Sequence, residues 1–164
     1  MKPKPIKRSE HIVSISREHH ATLLFCWKLR QGVKLAIEKE RIGQYVSWFW
    51  DTHLQPHFET EERLLFTETG FKKIKQALDE HQQILALCQE LAQGTTNDFY
   101  DKVAQLADLV DRHTRYEERE LFPWIEDNFD EERLVRIGAT LAQEEHSAEE
   151  NYEDEFWAKK NKTV

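Results

Sequence analysis

The sequence contains little of the chemistry that β-sheets and disulfide scaffolds require. Only five of its 164 residues are glycine, four are proline and two are cysteine, and β-branched residues form no alternating runs. An all-β fold needs frequent turns and strands with a two-residue period, so these shortages argue against one. Cys26 and Cys88 both lie in apolar segments with helical spacing. We therefore expect two small core residues in a reducing compartment, with the cytoplasm as the location.

Long apolar runs are also missing. No stretch approaches the roughly 20 residues needed to span a membrane, and no signal-peptide core follows the basic N-terminal residues. The formal net charge of −8 disfavours nucleic acid or an anionic membrane surface as a partner. The exception is a basic arm, residues 1–8, which we expect to be a disordered terminus.

Helical periodicity is what the sequence does contain. With 39% hydrophobic and 33% charged residues, it suits helices that each bury one stripe. Apolar residues at three- and four-residue steps predict helices over 9–37, 40–66, 71–93, 99–122 and 131–160. Pro56 should kink the second helix, Pro123 should stop or bend the fourth, and Gly94 should follow the end of the third.

The connections between these predicted helices are short, which favours antiparallel neighbours. We therefore predict an all-α fold. Residues 9–127 should form an up-down-up-down four-helix bundle. Residues 128–164 should form a C-terminal helix and tail that pack on the bundle or extend from it.

An internal repeat divides the predicted bundle into two halves. Residues 57–66 and 113–122 both read H-x-x-x-E-E-R-x-L-F. Residues 18–29 and 80–91 both read E-H-x-x-x-L-x-x-C-x-x-L. The first predicted helix therefore resembles the third, and the second resembles the fourth. This pattern indicates a two-helix unit used twice about a pseudo-two-fold axis.

The repeated motif places metal-binding side chains on one helix face. A histidine and a glutamate four residues apart point in the same direction. Two such motifs and one inward histidine from each remaining helix give four imidazoles and two carboxylates, a donor set that suits Fe, Mn or Zn. A single H-x-x-x-E is commonly only a surface pair, and a lone inward histidine is commonly a hydrogen-bonded core residue. The joint repetition favours a metal site over both interpretations.

The same residues resemble a known family. Residues 16–20 (SREHH), 57–62 (HFETEE) and 113–123 (HTRYEERELFP) are similar to motifs of the hemerythrin-like (HHE cation-binding) domain family, over residues 9–127. The resemblance implies a four-helix bundle around a non-haem di-iron centre with an oxo or hydroxo bridge, although the donors also suit Mn or Zn. The implied metal ligands are His19, His57, Glu61, His81, His113 and Glu117.

Two of the implied metal ligands have alternatives in neighbouring residues. His20 would replace His19 if the first helix were turned by about 100°. Glu118 would replace Glu117 if the chain followed the longer spacing that oxygen-carrying hemerythrins use on the last helix. The internal repeat favours His19 and Glu117.

Leu85 lies four residues after His81, where those oxygen carriers have a second histidine. One metal should therefore have fewer imidazoles, which argues against reversible O2 carriage. His53 could fill this position, although a partly exposed histidine beside the Pro56 kink is the simpler interpretation.

Three functions fit such a site. The chain could bind or sense O2, NO or a related small oxidant, act as a di-iron oxidoreductase on O2, peroxide or NO, or serve as an iron-dependent structural or regulatory module. No nucleophile, phosphate loop or nucleotide motif is present, so neither an organic substrate nor a catalytic residue is implied. We predict the first function, a binding protein rather than an enzyme. Its expected partner is a small diatomic molecule or oxidant. The sequence does not decide whether it also has a protein partner.

Overall fold

The protein is helical over about three-quarters of the residues that its computed structural model describes, 7–144 and 151–158. No strand occurs in these ranges, which confirms the predicted all-α class. In the same ranges, no helix has both the length and the apolar composition needed to cross a membrane. The α-helices of this part are α1 (Val13–Arg17), α2 (His19–Lys34), α3 (Lys39–Phe49), α4 (Gln55–Leu64), α5 (Lys72–Ala92), α6 (Phe99–Tyr116), α7 (Phe122–Asn128) and α8 (Glu131–Gln143).

The first predicted helix is shorter than expected and interrupted. Ser9 opens a turn, in which the Ile12 N–H donates to the Ser9 carbonyl at 3.1 Å, and α1 begins only at Val13. Glu18 separates α1 from α2. After α2 ends, Ala36 adopts a left-handed φ of 51°, which stops the helix before residue 37.

Two π-helical segments, Trp50–Leu54 and Glu117–Leu121, precede the two prolines inside the predicted helices. Proline has no N–H to donate, and its ring crowds the carbonyl one turn back. The wider π turn provides room for that ring. The helix therefore continues past Pro123 into α7, so of the two outcomes predicted there, a stop or a bend, the stop at residue 122 is wrong.

The third helix agrees with its prediction. α5 spans Lys72–Ala92, within one residue of the expected range at each end. Gly94 has a φ of +68°, the left-handed conformation that favours glycine after a helix C-terminus.

The long helices pack as a ring that encloses the centre of the molecule. α2 contacts α6 and α3, and α5 contacts the same two helices. Two separate hydrophobic clusters fill the interior, one containing Phe25 and Ile84 and the other containing Ile15 and Ala77. Along α5, His81 lies between members of the two clusters. The predicted metal-binding residues therefore occupy a polar layer between two apolar ones.

The C-terminal region differs from the single helix predicted over 131–160. α8 ends at Gln143, and residues 151–158 are not helical, whereas residues 145–150 and 159–160 lie outside the described part. In the 151–158 segment, Phe156 is buried edge-on against Tyr45, with ring centroids 5.4 Å apart. Arg41 donates to both oxygens of the Asp154 carboxylate, from Nη2 at 2.6 Å and from Nε at 2.9 Å. Aromatic packing and this ion pair hold the segment against α3.

The two cysteines are core residues, as predicted. Cys26 and Cys88 are free and buried. Burial, which disfavours a thiolate, raises the pKa of each thiol to about 12.

Gly43 lets α3 approach the backbone of α5, which generates a stability prediction. A Cβ on Gly43 would lie 2.7 Å from the carbonyl oxygen of Leu91. Because that oxygen belongs to a helix backbone, Gly43→Ala should lower the free energy of unfolding by about 1–3 kcal/mol, despite the better helix propensity of alanine. Urea unfolding followed by circular dichroism measures the change.

Gly70→Ala is the matched control. A Cβ at Gly70 meets nothing within 4 Å, so this variant should stay within about 0.5 kcal/mol of the parent. Equal stability of the two variants would contradict the close approach of α3 and α5.

Candidate metal centre

Six buried side chains converge from four helical stretches. They are His19 from α2, His57 and Glu61 from α4, His81 from α5, His113 from α6, and Glu117 from the first position of the second π-helical segment. Each residue is at most 4% exposed. All six residues predicted from the repeat are therefore brought together in the layer between the two hydrophobic clusters.

The six side chains form two overlapping groups of four. One group is His19, His57, Glu61 and Glu117, and the other is His81, His113, Glu61 and Glu117. Within each group the candidate ligand atoms lie within 4.8 Å of one another. Both glutamates belong to both groups, so each group contains two imidazoles and the same two carboxylates. This arrangement suits two neighbouring metal ions that share two bridging carboxylates.

The distances show how the carboxylates face both groups. Glu61 Oε2 lies 3.4 Å from His57 Nε2, while Glu61 Oε1 lies 3.3 Å from His81 Nε2. The two oxygens of one carboxylate thus face histidines of different groups, as a bridging ligand requires.

The second carboxylate and the remaining histidines are similarly close. Glu117 Oε1 is 2.5 Å from His113 Nε2 and 3.9 Å from His19 Nε2. The Nε2 atoms of His19 and His57 lie 3.1 Å apart.

Several of these atoms lack a hydrogen-bond partner. Among the described residues, both oxygens of Glu61 and of Glu117, and Nε2 of His81 and of His113, are buried without one of acceptable geometry. Buried polar atoms without partners are costly and uncommon in folded proteins. Four carboxylate oxygens and two imidazole nitrogens directed at the same small volume are what a pair of cations would satisfy. The donor set therefore fits the metals that the resemblance implies.

A second layer of carboxylates holds the four histidines in place. Each Nδ1 lies close to the oxygen of a glutamate from another helical stretch: Glu118 at 2.6 Å for His19, Glu18 at 2.9 Å for His57, Glu62 at 3.2 Å for His81 and Glu80 at 2.7 Å for His113. A hydrogen bond from Nδ1–H to a carboxylate fixes the ring orientation and leaves Nε2 free to bind a metal. These outer carboxylates follow the same pseudo-two-fold relation as the histidines.

The comparison with protein families agrees with this geometry. The family model described as the hemerythrin HHE cation-binding domain matches residues 11–125 and, separately, residues 73–152. The chain belongs to the hemerythrin HHE cation-binding family. The second match begins 62 residues after the first, and His81 likewise lies 62 residues after His19. No curated protein and no solved structure matches the chain.

The alternatives for two positions of this HHE domain are separated by the structure. His20 is exposed, whereas His19 is buried among the other donors. Glu118 lies behind His19 and bonds its outer nitrogen, whereas Glu117 faces inward. The geometry thus favours His19 and Glu117 as metal-facing residues.

His53 does not join either group of candidate donors in the described part of the chain. Its Nε2 lies 3.2 Å from the Thr22 hydroxyl and 3.2 Å from the Glu18 carbonyl oxygen. The side chain is buried, so the expectation of a partly exposed histidine is wrong. His53 supports the second layer around His57, with the two rings stacked at 6.1 Å.

The electrostatics of the HHE site depend on the two central carboxylates. Burial lowers the pKa of His113, but the nearby Glu117 and Glu80 outweigh burial and raise that pKa to about 10. Burial and the charge of Glu61 raise the pKa of Glu117. Burial would also raise the pKa of Glu61, but the neighbouring imidazoles, His57 foremost, lower it well below the usual value. Metal binding requires neutral imidazoles, so metal ions and protons compete for this site.

Sequence reasoning identified the six central donors and did not assign the outer carboxylates. Glu18 and Glu80 directly precede His19 and His81, and the other two directly follow Glu61 and Glu117. Their repetition at equivalent positions was the available signal. Which histidine each one contacts depends on the register between helices, and the sequence does not give that register.

The second layer generates a prediction for Glu80. Glu80→Gln replaces a charged acceptor with a neutral amide at His113 Nδ1 while preserving size. Loss of such an outer partner should weaken metal binding by about 10–100-fold. A competition titration of ferrous iron against a chelator measures the affinity.

Asp79→Asn provides a control with the same charge change on the same helix. Asp79 is exposed and adjacent to Glu80, so its substitution should leave iron affinity within about twofold. Equal affinities of the two variants would show that the Glu80 contact does not support metal binding.

Proposed function

We propose that this chain is a non-haem di-iron protein that binds or senses O2, NO or a related small oxidant at a carboxylate-bridged site. The observation that carries the proposal is the pair of four-residue donor groups that share Glu61 and Glu117. The six ligands in the proposal are His19, His57, Glu61, His81, His113 and Glu117.

The composition of the donor set supports iron. Imidazole and carboxylate suit first-row divalent ions, whereas sites selective for softer ions use thiolates. The two cysteines lie in the hydrophobic cluster of Phe25 and Ile84 and do not join the donor groups of the described chain. Manganese and zinc accept the same donors, so metal supply and redox behaviour decide among the three.

The number of protein donors in each group supports the binding of a small ligand to the metal. Each group would offer a bound ion two imidazole nitrogens and two shared carboxylates, fewer donors than the roughly six that first-row ions such as iron commonly accept, so room would remain for a small ligand. Bound ferrous ions would supply the electrons that an oxidant accepts. The residues of the chain hold the ions, orient the imidazoles through the outer carboxylates and exclude bulk water with the two apolar layers.

The scaffold in this proposal is the up-down-up-down four-helix bundle with an appended C-terminal helix. The ring of contacts among α2, α3, α5 and α6, and the short connections between them, support that arrangement. The proposal also places the chain in the cytoplasm. Two free buried cysteines and the acidic net charge are consistent with a reducing compartment and with a partner other than nucleic acid or membrane.

Iron loading tests the proposal directly. Metal-free chain incubated anaerobically with ferrous iron and then desalted should retain about two irons per chain, because the donor group occurs twice. After oxidation, azide or peroxide should produce new visible charge-transfer bands if coordination positions are open. Elemental analysis and absorption spectra give the two readouts.

Each alternative function has its own outcome in this experiment. A chain that retains no iron after reconstitution is not a di-iron protein. Two bound irons with no new visible bands after addition of azide or peroxide would indicate the structural or regulatory module. Catalytic turnover of NO or peroxide under reducing conditions would assign the oxidoreductase function instead.

The shared carboxylates generate a mutational prediction. Glu117→Gln removes charge from a donor common to both groups, so iron content should fall from about two to below about one per chain. Iron binding to the parent should raise its melting temperature by roughly 5–10 °C, and this gain should disappear in the variant. His57→Ala should reduce both quantities as well, because it removes one imidazole.

Glu120→Gln is the matched control for this substitution. Glu120 lies in the same π-helical segment and is exposed, so the variant should load iron like the parent. Normal iron content in Glu117→Gln would refute the assignment of Glu117 as a shared ligand.

A further inference from the structure

The two halves of the site differ in what covers them. The internal repeat relates His19 to His81, Glu118 to Glu62 and Leu23 to Leu85. The donor groups are equivalent under this relation, but their surroundings are not. The differences lie in the N-terminal segment on one side and a cavity on the other.

Residues 8–16, the N-terminal segment, cover the His19 side, so the expectation of a disordered arm is wrong for Arg8, while residues 1–6 lie outside the described part. Arg8 Nη2 lies 2.6 Å from the Glu118 carbonyl oxygen and 3.1 Å from its carboxylate, and the guanidinium also pairs with Glu126. The Arg8 side chain is only 5% exposed. It lies over the ring of Phe122, with the guanidinium carbon 5.4 Å from the ring centroid, and that ring stacks on His19 at 5.5 Å.

Ser16 adds to this cover. Its hydroxyl donates to Glu118 at 2.6 Å, on the carboxylate oxygen that also contacts His19 Nδ1. Arg8, Ser16 and Phe122 thus enclose the outer carboxylate and the ring face of His19.

A cavity of about 510 Å³ lies on the His81 side. Its lining includes His81 itself and Glu62, the outer carboxylate of His81. Phe58 forms part of the same wall and stacks on His81 with ring centroids 3.8 Å apart. Leu85, one turn along α5 from His81, forms the part of the cavity wall next to that histidine. The Glu62 side chain is 40% exposed, compared with 29% for Glu118.

The polarity of the cavity indicates the class of molecule that enters. Trp50, Phe58 and Leu85 provide apolar surface. Arg63 and Glu59 also line the cavity, and Arg63 is paired with Glu59 at 2.9 Å and with Glu144 at 2.5 Å, so its charge is already neutralised. Glu62 then leaves the entrance net negative, which disfavours anions and permits neutral molecules.

We propose that neutral small ligands of the O2 and NO class reach the metal held by His81 and His113 through this cavity, whereas the N-terminal segment closes the metal held by His19 and His57. The inference rests on the proposed function, because it presupposes that the donor groups hold iron. Leu85 and Phe58 are positioned to control access, and Leu85 leaves room where a larger side chain would fill the approach.

Filling the cavity tests the route. In the di-ferrous chain, Leu85→Trp should slow NO association, followed by stopped-flow absorbance, by at least about tenfold. Leu23→Trp makes the same change at the repeat-equivalent position of α2 and should leave the rate within about twofold of the parent. Iron content and melting temperature, measured for each variant, report whether the site itself has been preserved.

A second pair of variants keeps the test valid if tryptophan at these partly buried positions prevents folding. Gln82 lines the cavity entrance and His20 is its repeat equivalent, and both are exposed. Gln82→Trp should slow NO association, whereas His20→Trp should not.

The outcomes separate this inference from the proposed function. If the parent retains no iron or forms no NO adduct, the proposed function fails. If the parent binds NO and the α5 variants bind it as fast as their α2 counterparts, only the access route is refuted. If the α2 variants are the slow ones, the ligand reaches the His19 and His57 side instead.

Discussion

The structure depends on the burial of two carboxylates side by side. Glu61 and Glu117 are fully buried in the centre of the ring of helices. Burying one unpaired carboxylate is costly, and a second negative charge beside it adds repulsion. The fold offsets this cost with four surrounding imidazoles, and it leaves the carboxylate oxygens facing a volume between them. Cations in that volume would replace the repulsion between the two carboxylates with an attraction of both carboxylates to the bound metal.

Much of the site could be predicted because the same pattern occurs twice in the sequence. A helix with a histidine and a glutamate four residues apart is weak information alone, but two copies related by a repeat constrain each other. The outer carboxylates and the cover provided by Arg8 could not be predicted in the same way. These contacts join residues about 20 to 120 positions apart, so they depend on relative helix register, which local periodicity does not specify. The π-helical segments could be anticipated only as irregularities at Pro56 and Pro123.

The C-terminal region shows why a charged helical pattern is insufficient evidence for a helix. Residues 131–160 contain many good helix formers, yet the described segment 151–158 is held in a non-helical conformation. Phe156 and Trp157 pack around Tyr45, and Lys28 Nζ lies 4.1 Å from the Trp157 ring centroid. Aromatic and cation–π contacts to α2 and α3 outweigh a modest helix preference of a few tenths of a kilocalorie per residue. Tertiary contacts therefore determine the conformation of this segment, whereas the apolar periodicity of the sequence predicts the long helices.

The repeat and its departures have different functional consequences. The two donor groups contain the same residue types, two imidazoles and two shared carboxylates, so composition alone does not distinguish them. The distinction comes from residues that break the symmetry: Arg8 has no counterpart in the repeat, and Phe58 occupies the position equivalent to Thr114. The Thr114 hydroxyl donates to its own helix at 2.8 Å, whereas Phe58 stacks on His81 beside a cavity. In the proposed function, the duplicated two-helix unit would supply a symmetric set of metal donors, and residues that depart from the repeat, such as Arg8 and Phe58, would determine which metal a ligand can reach.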